Sequence, residues 1–257
     1  ALQAGTSHYL GQNFSKAFDV KYQDADNKEK FVYATSWGVS TRLLGALIMV
    51  HGDDKGLRLP PNIAPIQLVI IPIYKSEEDY QKIKQYIEPI ILDCKNKNIT
   101  YYFDNRDKIS PGFKFNEWEM KGVPLRIEVG MRDIKNKEIV MARRDTSIKS
   151  SYKHNNIILK IESELNDIQN KLFEQAIHFR NTNTHAVDNY ENFKKIINNE
   201  GGFIQCFWDG ETKTEENIKK ETNATIRCII SSNNINNQTC IYSKSPAKFE
   251  VIFSKAY

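Results

Sequence analysis

The sequence predicts a multidomain chain of α/β and α+β architecture, and three observations carry that prediction. Residues 66–74 form a continuous run rich in Val and Ile, of strand length, as expected for a strand buried on both faces. A capped helix and further strand candidates follow it, an alternation that builds a mixed sheet flanked by helices. After a long charged helix, short strand candidates recur from Gly201 onward, the pattern of a small α+β domain.

The elements follow in order. Residues 31–37 read as a strand, and 41–51 are nearly all apolar, so that Leu43, Leu44, Leu47, Ile48 and Met49 give a helix buried on most sides. Residues 52–56 make a turn, and Leu59, Pro60 and Pro61 close the unit. Beyond the 66–74 strand, Ser76 caps a helix whose first turn carries Glu77 and Glu78. Tyr80, Ile83, Ile87, Ile90 and Ile91 form its apolar face, and Pro89 should kink or end it. Residues 99–103 are a second strand. A turn at Pro111 and Gly112 leads into a short helix over 115–121. Leu125, Ile127 and Val129 alternate with Arg126 and Glu128, a half-buried strand, with 138–144 as its neighbour. Ile161, Leu165, Ile168, Leu172 and Phe179 then mark one face of the long helix. Strands at 203–207, 225–230 and 249–253 follow, with the polar tract 231–237 as a loop. The expected division is 1–64, 65–155 and 156–257.

Composition excludes some classes. With 40% hydrophobic and 26% charged residues in 257, no apolar run approaches the roughly 20 residues that cross a bilayer. The opening residues have no basic region before an apolar stretch, so they are not a secretion signal. The chain also begins without Met, in what reads as the middle of a domain, so a fragment is expected. A net charge of +4 is compatible with nucleic acid without demanding it. Cys94, Cys206, Cys228 and Cys240 form no CxxC pair, which points to buried free thiols in a cytoplasmic protein, and the lack of a spanning run predicts no membrane partner.

Two segments carry chemistry. Residues 3–14, QAGTSHYLGQNF, bring an amide, a hydroxyl and an imidazole close to small residues, a composition suited to a small polar ligand. Residues 36–61, SWGVSTRLLGALIMVHGDDKGLRLPP, set an arginine at the start of an apolar helix, where a guanidinium can meet phosphate and stack on a purine. Read alone, His8 and Arg42 are more often ordinary satisfied polar residues. A third block, residues 111–130, reads PGFKFNEWEMKGVPLRIEVG.

In that order the three blocks resemble the prolyl-tRNA synthetases, specifically the eukaryotic and archaeal-like form. The likeness is strong to about residue 146 and looser beyond it. It implies the end of a class II antiparallel-sheet catalytic domain, an α/β anticodon-binding domain and a small α+β C-terminal domain. It further implies activation of proline by ATP with Mg²⁺, transfer to tRNA(Pro), and a homodimer in the full-length enzyme. By this resemblance Gln3, Thr6, His8, Ser36, Trp37 and Gly38 surround proline and the terminal adenosine, and Gln3, Thr41 and Arg42 bind ATP. No residue is assigned as a general base. Phe115, Glu119, Arg126, Arg132 and Asp133 match positions that read the two guanines of the proline anticodon. Unpaired bases are read by stacking and along their Watson–Crick edges, and a carboxylate can accept from guanine N1–H and N2–H. Lys114, Lys121, Arg143 and Arg144 are expected phosphate contacts.

The sequence also departs from the family. Many relatives hold zinc through four cysteines, at positions that align here with Asp209, Thr214, Cys240 and Tyr242. One thiolate, one carboxylate, a hydroxyl and a phenol make a poor zinc site, so no structural zinc is expected. Tyr257 matches a terminal tyrosine that returns toward the family's active site. Class II motifs 1 and 2 do not occur in these residues, so this chain alone is not expected to form prolyl-adenylate. The competing reading is a non-catalytic anticodon-binding protein descended from a synthetase.

Overall fold

The computed structural model describes residues 2–256 apart from Asn233, Asn234 and Asn236. The expectation for Tyr257, and that part of the 231–237 loop, lie outside the described residues. The chain forms two compact units, one of Leu47–His178 and one of the residues up to Ala46 together with those from Phe179.

The chain opens with β1 (Gly5–Gly11), α1 (Asn13–Ala17), β2 (Lys21–Gln23), β3 (Glu29–Phe31) and β4 (Ala34–Val39). β1 pairs antiparallel with β4, and β2 with β3. The single strand expected over 31–37 is therefore two. β3 ends at Phe31, where the hairpin stops, and the chain turns before pairing with β1. Next comes α2 (Arg42–His51), at the expected place but not buried: none of its residues is buried, and Leu44 is 62% exposed. No element among the described residues covers its apolar face.

The second unit holds β5 (Leu68–Ile73), α3 (Glu77–Asn96), β6 (Tyr101–Phe103), α4 (Pro111–Met120), β7 (Leu125–Gly130), α5 (Met131–Asn136), β8 (Glu138–Arg143), β9 (Lys149–Lys153) and most of α6 (Ile157–Thr182). Its mixed sheet has the order β6-β5-β7-β8-β9, with β5 parallel to both neighbours. The Ser76 hydroxyl accepts from the Asp79 N–H at 3.2 Å and starts α3 as expected. α3 runs on through Pro89. Pro89 and Gln85, whose carbonyl loses its partner, both face solvent, so water can replace the missing bond. α4 begins at Pro111 itself, capped by Ser110, because a proline loses nothing at a first helical position. Leu68, Ile70, Leu125, Ile127, Val129, Ile139 and Met141 pack one face of the sheet against α3 and α6. Each such side chain contributes about 1.5–3 kcal/mol by leaving water. Phe179, expected on the buried face of α6, is 71% exposed.

The last elements are β10 (Thr184–Ala186), α7 (Tyr190–Lys195), β11 (Phe203–Trp208), α8 (Thr212–Thr222), β12 (Ala224–Ser231) and β13 (Phe249–Lys255). They form a sheet of order β10-β11-β13-β12, as the short strand candidates predict. Phe193, Ile218, Ile204, Val251 and Phe253 make its core. Cys94, Cys206 and Cys240 are buried free thiols, whereas Cys228 is exposed on β12. Among the described residues no helix is long and apolar enough to cross a membrane.

Candidate nucleic-acid interface

The sequence pattern predicts β7 as half-buried, yet Arg126 and Glu128 are only 6% and 7% exposed. They point to the sheet face opposite the main core, where each finds charged partners. Arg126 meets one Glu128 carboxylate oxygen at 3.0 Å through both Nε and Nη2. Its Nη1 reaches Glu119 Oε1 at 3.3 Å, and its guanidinium lies 4.5 Å from the centroid of the Phe115 ring. Lys149 completes the group. The register places Arg126 opposite Ala142, and Ala142 opposite Lys149, so the two cations share a cross-strand row. The Lys149 ammonium is 2.7 Å from Glu128 and 4.8 Å from the Phe115 centroid.

This face offers distinct capacities. Glu119 is partly exposed and has only the long bond from Arg126, so its second oxygen has no partner among the described residues. It is free to accept from a donor edge. Phe115 presents a ring already flanked by cations, polarised for stacking with a base. Arg132 is exposed at the start of α5 with no partner among the described residues, and the Asp133 carboxylate accepts from the Gly130 N–H at 2.8 Å, closing the turn that presents Arg132. Sequence reasoning missed Glu128 and Lys149. The alternation along β7 marks Glu128 as facing the same way as Arg126, but nothing local reveals that β9 brings Lys149 alongside.

Of the four expected phosphate contacts, Lys114, Arg143 and Arg144 are corrected by the structure, whereas Lys121 stays half exposed. Lys114 is 2% exposed and donates to the Asp104 carbonyl at 3.0 Å. Lys121 pairs with Glu117 at 2.6 Å and lies over Trp118. Arg143 is held by Asp145 and Glu164 at 2.8 and 2.6 Å, and also by Asp167. Arg144 binds Asp53 through both terminal nitrogens and donates to the Glu119 carbonyl at 2.8 Å. The Arg144 bonds foremost hold the Asp53 carboxyl down to about 2. These cations stabilise the fold around the face, since each already has its counter-charge. Gly56 and Gly122 let the segment after Asp53 run against the end of α4. Both have positive φ, and a Cβ on Gly56 would lie 2.6 Å from the Met120 carbonyl oxygen.

The other predicted group lies on β1 and β4. Their register sets Thr6 opposite Gly38 and His8 opposite Ser36, so these four share one face of the ribbon. Trp37 pairs with Ser7 on the opposite face and is 79% exposed. Gln3 donates to the Thr6 hydroxyl at 2.8 Å. Thr41 and Arg42 start α2, where the Arg42 N–H donates to Ser40 Oγ at 3.3 Å. All of these residues are exposed. The strands thus bring the two sequence blocks together without enclosing them.

In the small sheet's unit, Asp209, Thr214 and Cys240 do converge, joined by Ser243 rather than Tyr242. Asp209 accepts from Thr214 and Ser243 at 2.8 and 2.6 Å and from the Glu211 N–H at 3.0 Å. Burial pushes its carboxyl up, but the bonds from Ser243, the Glu211 N–H and Thr214 outweigh it and hold it below the usual range. The Tyr242 hydroxyl instead donates to Glu221 at 2.9 Å. With its carboxylate occupied and one thiol at hand, this set does not fit a zinc ion. Among the described residues no three His, Cys, Asp or Glu side chains group as a metal site.

Residues 67–164, which carry this helix, strand and ring on their mixed sheet, match the family model described as an anticodon binding domain. Residues 190–257 match the family model of the prolyl-tRNA synthetase C-terminal domain. All 257 residues align with proteins named proline–tRNA ligase, at 50% identity in Flavobacterium psychrophilum, 51% in Azobacteroides pseudotrichonymphae and 49% in Cytophaga hutchinsonii. Over its whole length the chain is thus similar to the proline–tRNA ligases. It covers 52% of each of these relatives, about half their length.

Proposed function

We propose that this chain is the tRNA-recognising part of a cytoplasmic enzyme that activates proline with ATP and transfers it to tRNA(Pro). The observation that supports this best is the buried Arg126–Glu128 pair, which holds Phe115 and the half-free Glu119 at one surface of an anticodon-binding domain. In this reading Glu119 accepts from a guanine edge, Phe115 stacks, Arg126 fixes both, and Arg132 and Asp133 extend the contact along α5. Three functional segments are proposed: 1–64 from the catalytic domain, 65–155 for the anticodon and 156–257 as a C-terminal domain that holds its loops through Asp209 without zinc.

The exposed β1–β4 residues take their roles when the rest of the catalytic domain covers them. Gln3, Thr6, His8, Ser36, Trp37 and Gly38 then line the proline and terminal-adenosine site, while Gln3, Thr41 and Arg42 hold ATP. The reaction is an attack of the proline carboxylate on the α-phosphate. It depends on positioning and charge neutralisation, to which Arg42 and ATP-bound Mg²⁺ contribute, and needs no proton-transferring side chain. The working enzyme is proposed to be a homodimer. Proline-dependent ATP–pyrophosphate exchange tests the assignment, run on this chain alone and joined to the half of the relatives' length that it does not span. Exchange by the joined protein only is expected. No exchange by either favours the second reading, a non-catalytic anticodon-binding protein.

A further inference from the structure

Asp104 follows β6 and is fully buried, yet it gathers an unusual set of donors. Arg106 meets both of its carboxylate oxygens, at 2.8 and 2.7 Å. The Trp118 indole N–H donates to Oδ2 at 2.8 Å, and the Lys114 ammonium lies 3.6 Å from Oδ1. Arg106 reaches on to Glu117 at 2.7 Å. Three residues of α4 are thereby tied to one fixed point beside the sheet. Burial alone does not require this, because apolar side chains of similar volume would pack α4 at no loss of stability. What a directional network adds is an angle.

The angle matters because of where the bonds fall. Lys114 and Trp118 stand one turn apart on one stripe of α4, and Phe115 and Glu119 stand on the next stripe, about 100° round the axis. We propose that Asp104 is a positioning residue that fixes the roll of α4 and thereby sets where Phe115 and Glu119 meet the bases of RNA. A side chain ends about 6 Å from a helix axis, so a roll of about 20° moves the Glu119 carboxylate by about 2 Å. Base-edge recognition tolerates only about 0.5 Å. Phosphate contacts carry no sequence information and survive such a shift. Loss of the Asp104 network therefore removes discrimination between bases while sparing general affinity.

This inference rests on the anticodon reading, and the test separates the two. Binding of the protein is measured to an RNA hairpin whose loop carries two adjacent guanines, and to the same hairpin with adenines in their place. The unaltered protein should prefer guanine; equal binding would overturn the anticodon reading and the inference with it. In Asp104→Asn the preference should fall at least tenfold while binding to the adenine hairpin stays within twofold, and the indole N–H resonance of Trp118 should shift. Preference kept in a folded Asp104→Asn protein overturns the inference alone. Should that variant not fold, Lys114→Met and Trp118→Phe, which leave the Asp104–Arg106 pair in place, are read the same way, and preference kept in both overturns it.

Discussion

The β7 face and the β1–β4 ribbon carry similar numbers of candidate residues and treat them in opposite ways. On β7 every charge is buried against a partner from α4 or β9, so the geometry is complete within one unit. On the ribbon the register brings Thr6, His8, Ser36 and Gly38 together but leaves all of them exposed. Pairing of strands is enough to align residues. Only a surrounding shell fixes their side chains, and the shell is what distinguishes a formed site from half of one.

The largest effect is expected at Arg126. Arg126→Ala leaves Glu128 buried with Lys149 as its only charge partner, and should destabilise the chain by about 3 kcal/mol in urea unfolding. A loss below about 1 kcal/mol would mean that the β7 network is not a formed unit. Next in size is Gly56→Ala, where φ of +123° and the 2.6 Å approach to Met120 predict a loss of about 1–3 kcal/mol. An unchanged midpoint would show that the segment after Asp53 is not held to α4.

A pH series sharpens the same point. The Asp53 carboxyl is lowered from 3.8 to about 2, chiefly by its bonds from Arg144. A depressed carboxyl contributes stability that is fully present above its unfolded value and is lost as pH falls through its folded one. The denaturation midpoint should therefore drop as pH goes from 3.8 toward 2, and Asp53→Asn should remove that part of the slope. An identical slope in the variant would contradict the Arg144–Asp53 pairing. The smallest effect belongs to the ribbon: His8→Ala should change stability by less than about 0.5 kcal/mol, since an exposed side chain has little packing to lose. A larger loss would show that His8 is already part of a packed site.

Much of the fold was legible because its signals are local. The Val and Ile run of β5, the Ser76 cap and the apolar stripe of α6 from Ile161 to Leu172 appear as the patterns require. The failures share a cause in long-range context. Alternation made β7 look half-buried because a sequence window cannot show that Glu119 and Lys149 will neutralise Arg126 and Glu128. For the same reason Lys114, Arg143 and Arg144 read as free cations, while their partners Asp104, Glu164 and Asp53 lie elsewhere in the chain. The apolar run of α2 predicted burial, but burial needs a second surface, and none of the described residues supplies it. α3 runs through Pro89 because a proline facing solvent costs a helix less than one facing the core. Of the candidate site, Phe115, Glu119 and Arg126 were legible through their shared block, and Glu128 and Lys149 were not.

Glu119, held beside Phe115 by Arg126, is proposed to read a guanine. The most direct measurement is the affinity of the protein for the guanine-bearing hairpin before and after Glu119→Gln, at fixed salt. Losing a carboxylate that accepts two guanine donors should weaken binding by about 1–3 kcal/mol, with no change for the adenine hairpin. Equal weakening for both hairpins, or none for either, would contradict the account.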